Sequence, residues 1–223
     1  MQALVYTKPH EADGRLTSLG LTGAVLQEAA RAGKLARSTA TPFHPAVYAG
    51  FLLYADTLAS LGELLTTATD DWIRDDPAGH PLVISHRRKL ALTVATSDAN
   101  TGNGDAENPP NTRPAKGIRT QEAVIENQGL LFPDMFDEQR PRHDLMGYEF
   151  WWLLMHVDEQ RNELRLELSR GTRLNRDRAI AGWSERIMLA SQPLDEGTIP
   201  VIGDPNGDGP QLEHFDVNVR KLG

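Results

Sequence analysis

The chain has 223 residues, a formal net charge of −8 at pH 7 and no cysteine. The absence of cysteine excludes a disulfide framework, a cysteine-ligated zinc or iron–sulfur site and a thiol nucleophile. Apolar residues make up 39% of the chain and charged residues 24%, which is typical of a globular protein that buries a core.

No stretch approaches the roughly 18 apolar residues that a membrane-spanning helix needs, and the first residues lack the basic and apolar regions of a secretory signal. We therefore expect a cytoplasmic protein that does not bind membranes. The acidic net charge argues against non-specific binding to polyanions, but residues 86–119 and 161–186 are locally basic. Either segment could hold a phosphate backbone.

The first half of the chain has helical periodicity. Apolar residues recur at helical spacing over residues 21–35, and Gly33 is a candidate stop signal. A longer helix is expected after residues 41–45, because proline is tolerated in the first turn of a helix. The apolar stripe of this helix is the strongest pattern in the chain and consists of Val47, Phe51, Tyr54, Ala55, Leu58, Leu61 and Leu65.

Strand patterns dominate the second half. Strands are expected at residues 82–85, 90–96, 148–157, 163–169, 186–190, 199–202 and 215–219. The first two predict a hairpin around the basic turn 86–89, and residues 158–162 link the next two strands. In the strand 163–169 leucines alternate with charged residues and serine, which predicts one face on the core and a charged face in water.

Residues 97–117 have neither helical nor strand periodicity and are rich in Gly, Asn and Pro, which predicts a long loop. Thr120 can cap a helix that runs to about Asn127. The whole pattern predicts one α+β domain, in which N-terminal helices pack on a mainly antiparallel sheet formed largely by the C-terminal half. Its parts are a helical segment (about 1–80), a hairpin and long loop (81–118), and a helix followed by strands (119–223).

The junction between this loop and the helix is a candidate anion site. Lys116, Gly117, Arg119 and Thr120 precede a helix N-terminus, where free N–H groups and the positive end of the helix dipole attract anions. The P-loop pattern is absent, and an ordinary capped helix after a solvated loop explains the same residues. A small-anion or nucleotide sensor is therefore one alternative function.

A second alternative is a Mg-dependent nuclease or phosphate-ester hydrolase. Asp144 or Asp158, followed by Glu163 and Arg165, faintly resembles the Asp…Glu-x-Lys arrangement in which two carboxylates hold a magnesium ion. Arg165 stands where that arrangement has lysine, and alternating Glu and Arg is also typical of a solvated strand face. The candidate catalytic residues of this alternative are Asp144, Asp158 and Glu163.

A partial calcium motif lies near the C-terminus, where Asp204, Asn206 and Asp208 match the opening of the Asp-x-Asn-x-Asp-Gly loop. The twelfth position is Phe215, which has no carboxylate, and the same residue types also form ordinary turns between strands. The seven histidines form neither His-x-His nor His-Glu-x-x-His. We therefore predict no cofactor from the motifs, with Ca or Mg as the weak candidates.

Arginines and tryptophans indicate a binding surface. The arginine-rich segment 161–186 lies near Trp151, Trp152 and Trp183, a combination that single-stranded nucleic acids and protein partners use. Alternatively, the aromatic residues fill the core and the arginines pair with the excess carboxylates. The candidate binding residues are Arg87, Arg88, Lys89, Arg113, Lys116, Gly117, Arg119, Thr120, Arg165, Arg170 and Arg173.

Six segments together resemble a widespread family of uncharacterised bacterial proteins with no assigned activity, namely residues 90–102, 116–124, 152–156, 163–169, 182–189 and 215–220. In this family the segment after the strand more often reads Gly-Asp-Glu-x-Thr-Gly, whereas Ser97 and Ala99 replace the Gly and the Glu here. The resemblance spans nearly the whole chain and implies a bacterial cytoplasmic protein.

Every catalytic template in the chain is incomplete. The leading hypothesis is therefore a non-enzymatic binding or accessory subunit of a bacterial cytoplasmic assembly. Its partner would be another protein or a second copy of the chain, with nucleic acid as a candidate ligand of the two basic segments.

Overall fold

The computed structural model describes residues 2–76, 80–113, 124, 145, 147–177 and 179–195. In chain order, the elements within these residues are β1 (Leu4–Tyr6), α1 (Pro9–Ser18), α2 (Gly23–Ser38), α3 (Tyr48–Ala68), β2 (Ile73–Asp75), β3 (Leu82–Ser85), β4 (Leu90–Thr96), β5 (Glu149–Asp158), β6 (Glu163–Leu174), β7 (Ile180–Met188) and β8 (Gln192–Pro193). The helices pack on a mixed, mostly antiparallel sheet. This arrangement confirms the predicted α+β class.

The described strands form a single sheet in the order β1-β7-β6-β5-β4-β3-β2, with β8 pairing to β6. Two pairs of neighbouring strands in this sheet are parallel, namely β1 with β7 and β4 with β5. The parallel register of β4 and β5 runs from Leu90 opposite Glu149 to Thr96 opposite Met155. The carboxyl ends of these two strands therefore lie side by side at one edge of the sheet.

Two helices form where the sequence predicts them, and a third, α1, was not predicted. Helix α2 begins after Thr22, whose hydroxyl accepts a hydrogen bond from the Val25 backbone N–H at 3.3 Å. Gly33 was expected to end α2 but lies inside it. A Cβ at Gly33 would lie 2.5 Å from the Leu53 carbonyl oxygen, so this glycine lets α2 approach α3 closely.

Helix α3 is only partly covered. Leu58, Leu61 and Leu65 are buried as the apolar stripe predicts, whereas Val47 and Phe51 are 78% and 59% exposed. The start of the helix lies beyond the edge of the core. The pattern therefore identified the helix correctly but included residues that no described element covers.

The sheet has a core on each face. On one face, the helices cover β-strand residues that include Leu92, Leu153 and Leu166. On the other face, Trp152, Trp183 and their neighbours form a second cluster, which also contains Val124 and Leu145. Because both faces are covered, β5 is apolar almost throughout rather than alternating.

Both predicted hairpins, β3–β4 and β5–β6, are confirmed. Strand β7 begins at Ile180 and not at residue 186 as expected. Its pairing with β6 is irregular between Arg170 and Leu174, and such bulges break the alternation that marks a strand in the sequence. The predicted strands at 199–202 and 215–219 lie outside the described residues, as does the predicted helix at 120–127 apart from Val124.

One face of β6 contradicts the sequence analysis. The leucines of the 163–169 segment face the helices as expected, but Glu167 and Ser169 on the opposite face are fully buried rather than in water. The loop that follows β4 covers this face, and its Gly102 N–H donates a hydrogen bond to the Glu167 carboxylate at 2.8 Å.

Among the described helices, none has the length and apolar character needed to cross a bilayer.

Candidate ligand-binding site

Residues 97–113, the described part of the predicted long loop, fold back so that Thr112 and Arg113 meet the carboxyl end of β4. Ser97 forms a β-bridge with Thr112, and the Arg113 N–H donates to the Thr96 carbonyl at 3.0 Å. The Asp98 carboxylate accepts hydrogen bonds from the Asn111 backbone N–H and side-chain amide, both at 3.0 Å. A compact loop with joined ends of this kind is an Ω-loop.

A buried ion pair holds this loop on the sheet. Arg186 of β7 donates to the Glu167 carboxylate of β6 through Nε at 2.9 Å and through a terminal nitrogen at 2.8 Å. The other terminal nitrogen of Arg186 donates to the Asp105 carbonyl of the loop at 2.6 Å. Glu167 also accepts from the Ser169 hydroxyl at 2.7 Å. Both charges are therefore satisfied without water.

A cavity of about 630 Å³ opens at the sheet edge where β4 and β5 end. Four parts of the chain line it: the end of α2, the start of α3, the end of β4 with both ends of the Ω-loop, and the end of β5 with the turn that follows. Its lining residues include Arg37, Gly50, Ser97, Arg113, His156 and Asp158. The cavity therefore lies where the parallel strand pair, the Ω-loop and the helical layer meet.

His156 lies at the sheet side of this cavity. It is a buried residue at the end of β5, and its Nδ1 lies 3.3 Å from the Ser97 carbonyl oxygen. Burial lowers the pKa of His156, and the positive charges of Arg113 and Arg165 act in the same direction. The ring is therefore neutral at pH 7. Because a carbonyl only accepts, Nδ1 carries the proton and Nε2 is left as an acceptor.

The charged groups around the cavity differ in their partners. Arg37 is paired with Glu159 at 2.9 Å, and Asp158 is paired with Arg165 and, at 3.7 Å, with Arg161. Hydrogen bonding from the Arg161 backbone N–H, reinforced by the charge of Arg165, lowers the pKa of Asp158. Arg113 also lines the cavity but makes no ion pair with any described residue.

The candidate nuclease carboxylates Asp158 and Glu163 face each other across the β5–β6 hairpin, and Arg165 donates to both. Hydrogen bonds from Ser191 and Arg165 lower the pKa of Glu163. These carboxylates thus engage a guanidinium where a metal site would need free oxygens. Within the described part of the chain, no cluster of three His, Asp or Glu side chains could hold a metal ion.

The candidate basic residues do not come together. Arg87 and Arg88 both donate to Asp71, at 2.8 to 2.9 Å, in the turn before β4. Lys89 is in the same turn, so these residues and Arg113 lie at opposite ends of β4, roughly 20 Å apart for a seven-residue strand. No continuous basic surface joins them through the described residues.

The remaining predicted arginines are also separated. Arg170 is paired with Glu149 at 3.1 Å, and Arg173 is exposed further along β6. Several candidates lie outside the described residues: Asp144, Lys116, Gly117, Arg119, Thr120, Asp204, Asn206 and Asp208. The predicted protein partner stays a prediction. Large apolar side chains are exposed at the start of α3.

The roles of three residues that matter here were not predicted from the sequence: His156, Glu167 and Arg186. His156 follows the apolar run of β5 directly, and a titratable residue at the end of a buried strand is a usable signal for a site at a sheet edge. Glu167 and Arg186 gave no such signal, because their pairing depends on the Ω-loop that covers them.

The comparisons with known proteins add no relative: no family model matches the chain, and neither a curated protein nor a solved structure is significantly similar to it.

Proposed function

We propose that this chain is a non-enzymatic binding protein and that the cavity at the carboxyl ends of β4 and β5 is its ligand site. The observation that carries the proposal is the position of this cavity. Ligands of open sheets bind in the crevice outside the carboxyl ends of parallel strands. The volume of about 630 Å³ also falls within the range of small-molecule sites.

The chemistry of the lining supports binding rather than catalysis. General acid–base catalysis needs a proton donor or acceptor in hydrogen-bond reach of the reacting group, and usually a second group that orients it. His156 is oriented by a backbone carbonyl and not by a carboxylate, and the carboxylates of Asp158 and Glu159 are engaged by arginines. No free carboxylate among the described lining residues remains to pair with the imidazole.

Gly50 offers a direct test, because it lines the cavity and a Cβ placed on it would have no neighbour within 4 Å. Leucine at this position should fill part of the cavity. It should also raise helix propensity by roughly 1 kcal/mol relative to glycine. A diverse library of small molecules, screened by thermal shift, should give ligands that stabilise the wild-type protein and not Gly50→Leu.

Gly14→Leu is the matched control, since Gly14 is an exposed glycine of α1 that also has no neighbour within 4 Å of a Cβ. Ligands of the cavity should stabilise this variant as they stabilise the wild-type protein. If every hit stabilises Gly50→Leu as much as the wild type, or if the library gives no hit, the proposed site is wrong.

A further inference from the structure

We infer that the ligand of this cavity is a small monocarboxylate with an apolar body, and that Arg113 anchors its carboxylate. This inference rests on the proposed function and specifies the ligand class. Three features of the lining lead to it: a cation without an ion pair among the described residues, an apolar wall, and the lack of a second free cation in the described lining.

This cation is Arg113. Its backbone is fixed by the hydrogen bond to Thr96 and by the neighbouring Ser97–Thr112 bridge, while its side chain makes no ion pair with a described residue. The neighbouring cations Arg37 and Arg165 already have carboxylate partners. A planar guanidinium on a fixed backbone is suited to bidentate binding of a carboxylate.

The apolar wall comes from α3 and β5. Ala46, just before α3, and Ala49 line the cavity on the helical side, and Val157 lines it from the strand, while Leu53 and Met155 lie behind them at 2% and 0% exposure. These side chains offer contact to an aliphatic or aromatic body several carbons long. They provide no hydrogen-bonding side chain for a polar body.

The rest of the described lining offers no free cation to a second negative charge on the ligand, because Arg37 is already paired with Glu159. Asp158 and Glu159 contribute carboxylates to the lining, and Nε2 of the neutral His156 ring is an acceptor. The second carboxylate of a dianion would therefore lose water without gaining an ion pair among the described lining residues. The site should therefore prefer a monoanion to a dianion of the same length.

Octanoate, octanamide, octylamine and octanedioate test this class, with dissociation constants measured by titration calorimetry at one ionic strength. Octanoate should bind the wild-type protein at least 10-fold more tightly than each of the other three. Arg113→Gln should weaken octanoate binding at least 10-fold, and Arg113→Lys should weaken it less because the charge is kept.

Two controls separate the cavity from the exposed apolar start of α3. Gly50→Leu should weaken octanoate binding, since it fills the cavity, and Arg173→Gln should leave it unchanged, since Arg173 is an exposed arginine elsewhere on β6. Unfolding midpoints of all variants establish that each one is folded.

The outcomes distinguish the inference from the proposed function. If octanamide binds as tightly as octanoate and Gly50→Leu abolishes both, the ligand class is wrong and the binding site stands. If Arg113→Gln binds octanoate as the wild type does, or if octanoate does not bind at all, the inference is overturned. In that case the thermal-shift screen with wild type, Gly50→Leu and Gly14→Leu still tests whether the cavity binds a ligand of another class.

Discussion

Replacing Glu167 by glutamine should be among the most destabilising single changes in this protein. Glu167 and Arg186 are both 0% exposed, and the substitution keeps the side-chain volume while it removes the negative charge. Arg186 would then face only neutral acceptors, such as the Asp105 carbonyl. Leaving one charge of a buried pair uncompensated costs about 3–5 kcal/mol.

Urea unfolding followed by tryptophan fluorescence measures this loss, because Trp151 and Trp152 are fully buried. Ser169→Ala is the control: it removes one hydrogen bond to the same carboxylate and should cost about 1 kcal/mol. The double variant Glu167→Gln/Arg186→Met removes both charges, so it should lose at least about 2 kcal/mol less than the sum of the single variants. A loss below about 1 kcal/mol in Glu167→Gln would show that Arg186 does not depend on this carboxylate for its charge compensation.

Three further changes test other contacts by the same unfolding measurement. Gly33→Ala should destabilise the protein by about 1–3 kcal/mol, because the added Cβ would collide with α3, although alanine has a higher helix propensity than glycine. Gly14→Ala should stabilise the protein slightly, because a Cβ there meets no neighbour within 4 Å. Equal effects of the two substitutions would contradict the close packing of α2 on α3. Thr22→Ala should cost about 1 kcal/mol by removing the cap of α2, and Thr22→Ser should be nearly neutral. Asp71→Asn should lower the stability at pH 7, because hydrogen bonds from Arg87, Arg88 and Ser85 hold the pKa of Asp71 well below its usual range. Because the pKa of Asp71 is lower in the folded than in the unfolded protein, its carboxylate stabilises the fold above the unfolded pKa of about 4, and this stabilisation is lost as the pH falls below that value. The difference in free energy of unfolding between the wild type and Asp71→Asn should therefore become smaller in acid.

The hairpins could be read from the sequence because their signals are local. The turn at 86–89 separates two short apolar runs, and both strands form at the predicted residues. Local patterns also located α2 and α3. They did not show where the core ends, which is why Val47 and Phe51 were placed on a buried stripe and are exposed.

The face of β6 could not be predicted from alternation. A charged residue at every second position is expected to face water, and that expectation fails for Glu167 because a loop from a distant part of the chain covers it. A buried carboxylate is tolerable here only because Arg186, Ser169 and Gly102 all donate to it. These donors are up to 65 residues away in the sequence.

The candidate site depends on topology in the same way. Its position follows from β4 and β5 being parallel neighbours, although 52 residues separate the end of β4 from the start of β5 (residues 97–148). The sequence analysis treated the sheet as mainly antiparallel and looked for an anion site at residues 114–120. Arg113, immediately before that region, lines the cavity. His156 was noted in the sequence only as one of seven histidines.

A crystal structure with bound octanoate would show whether the ligand occupies the cavity and contacts Arg113. We expect electron density for the ligand in the cavity, with its carboxylate in hydrogen-bond distance of the Arg113 guanidinium and its chain against Ala49 and Val157. Density only on the exposed apolar residues at the start of α3, with the cavity empty, would contradict this expectation.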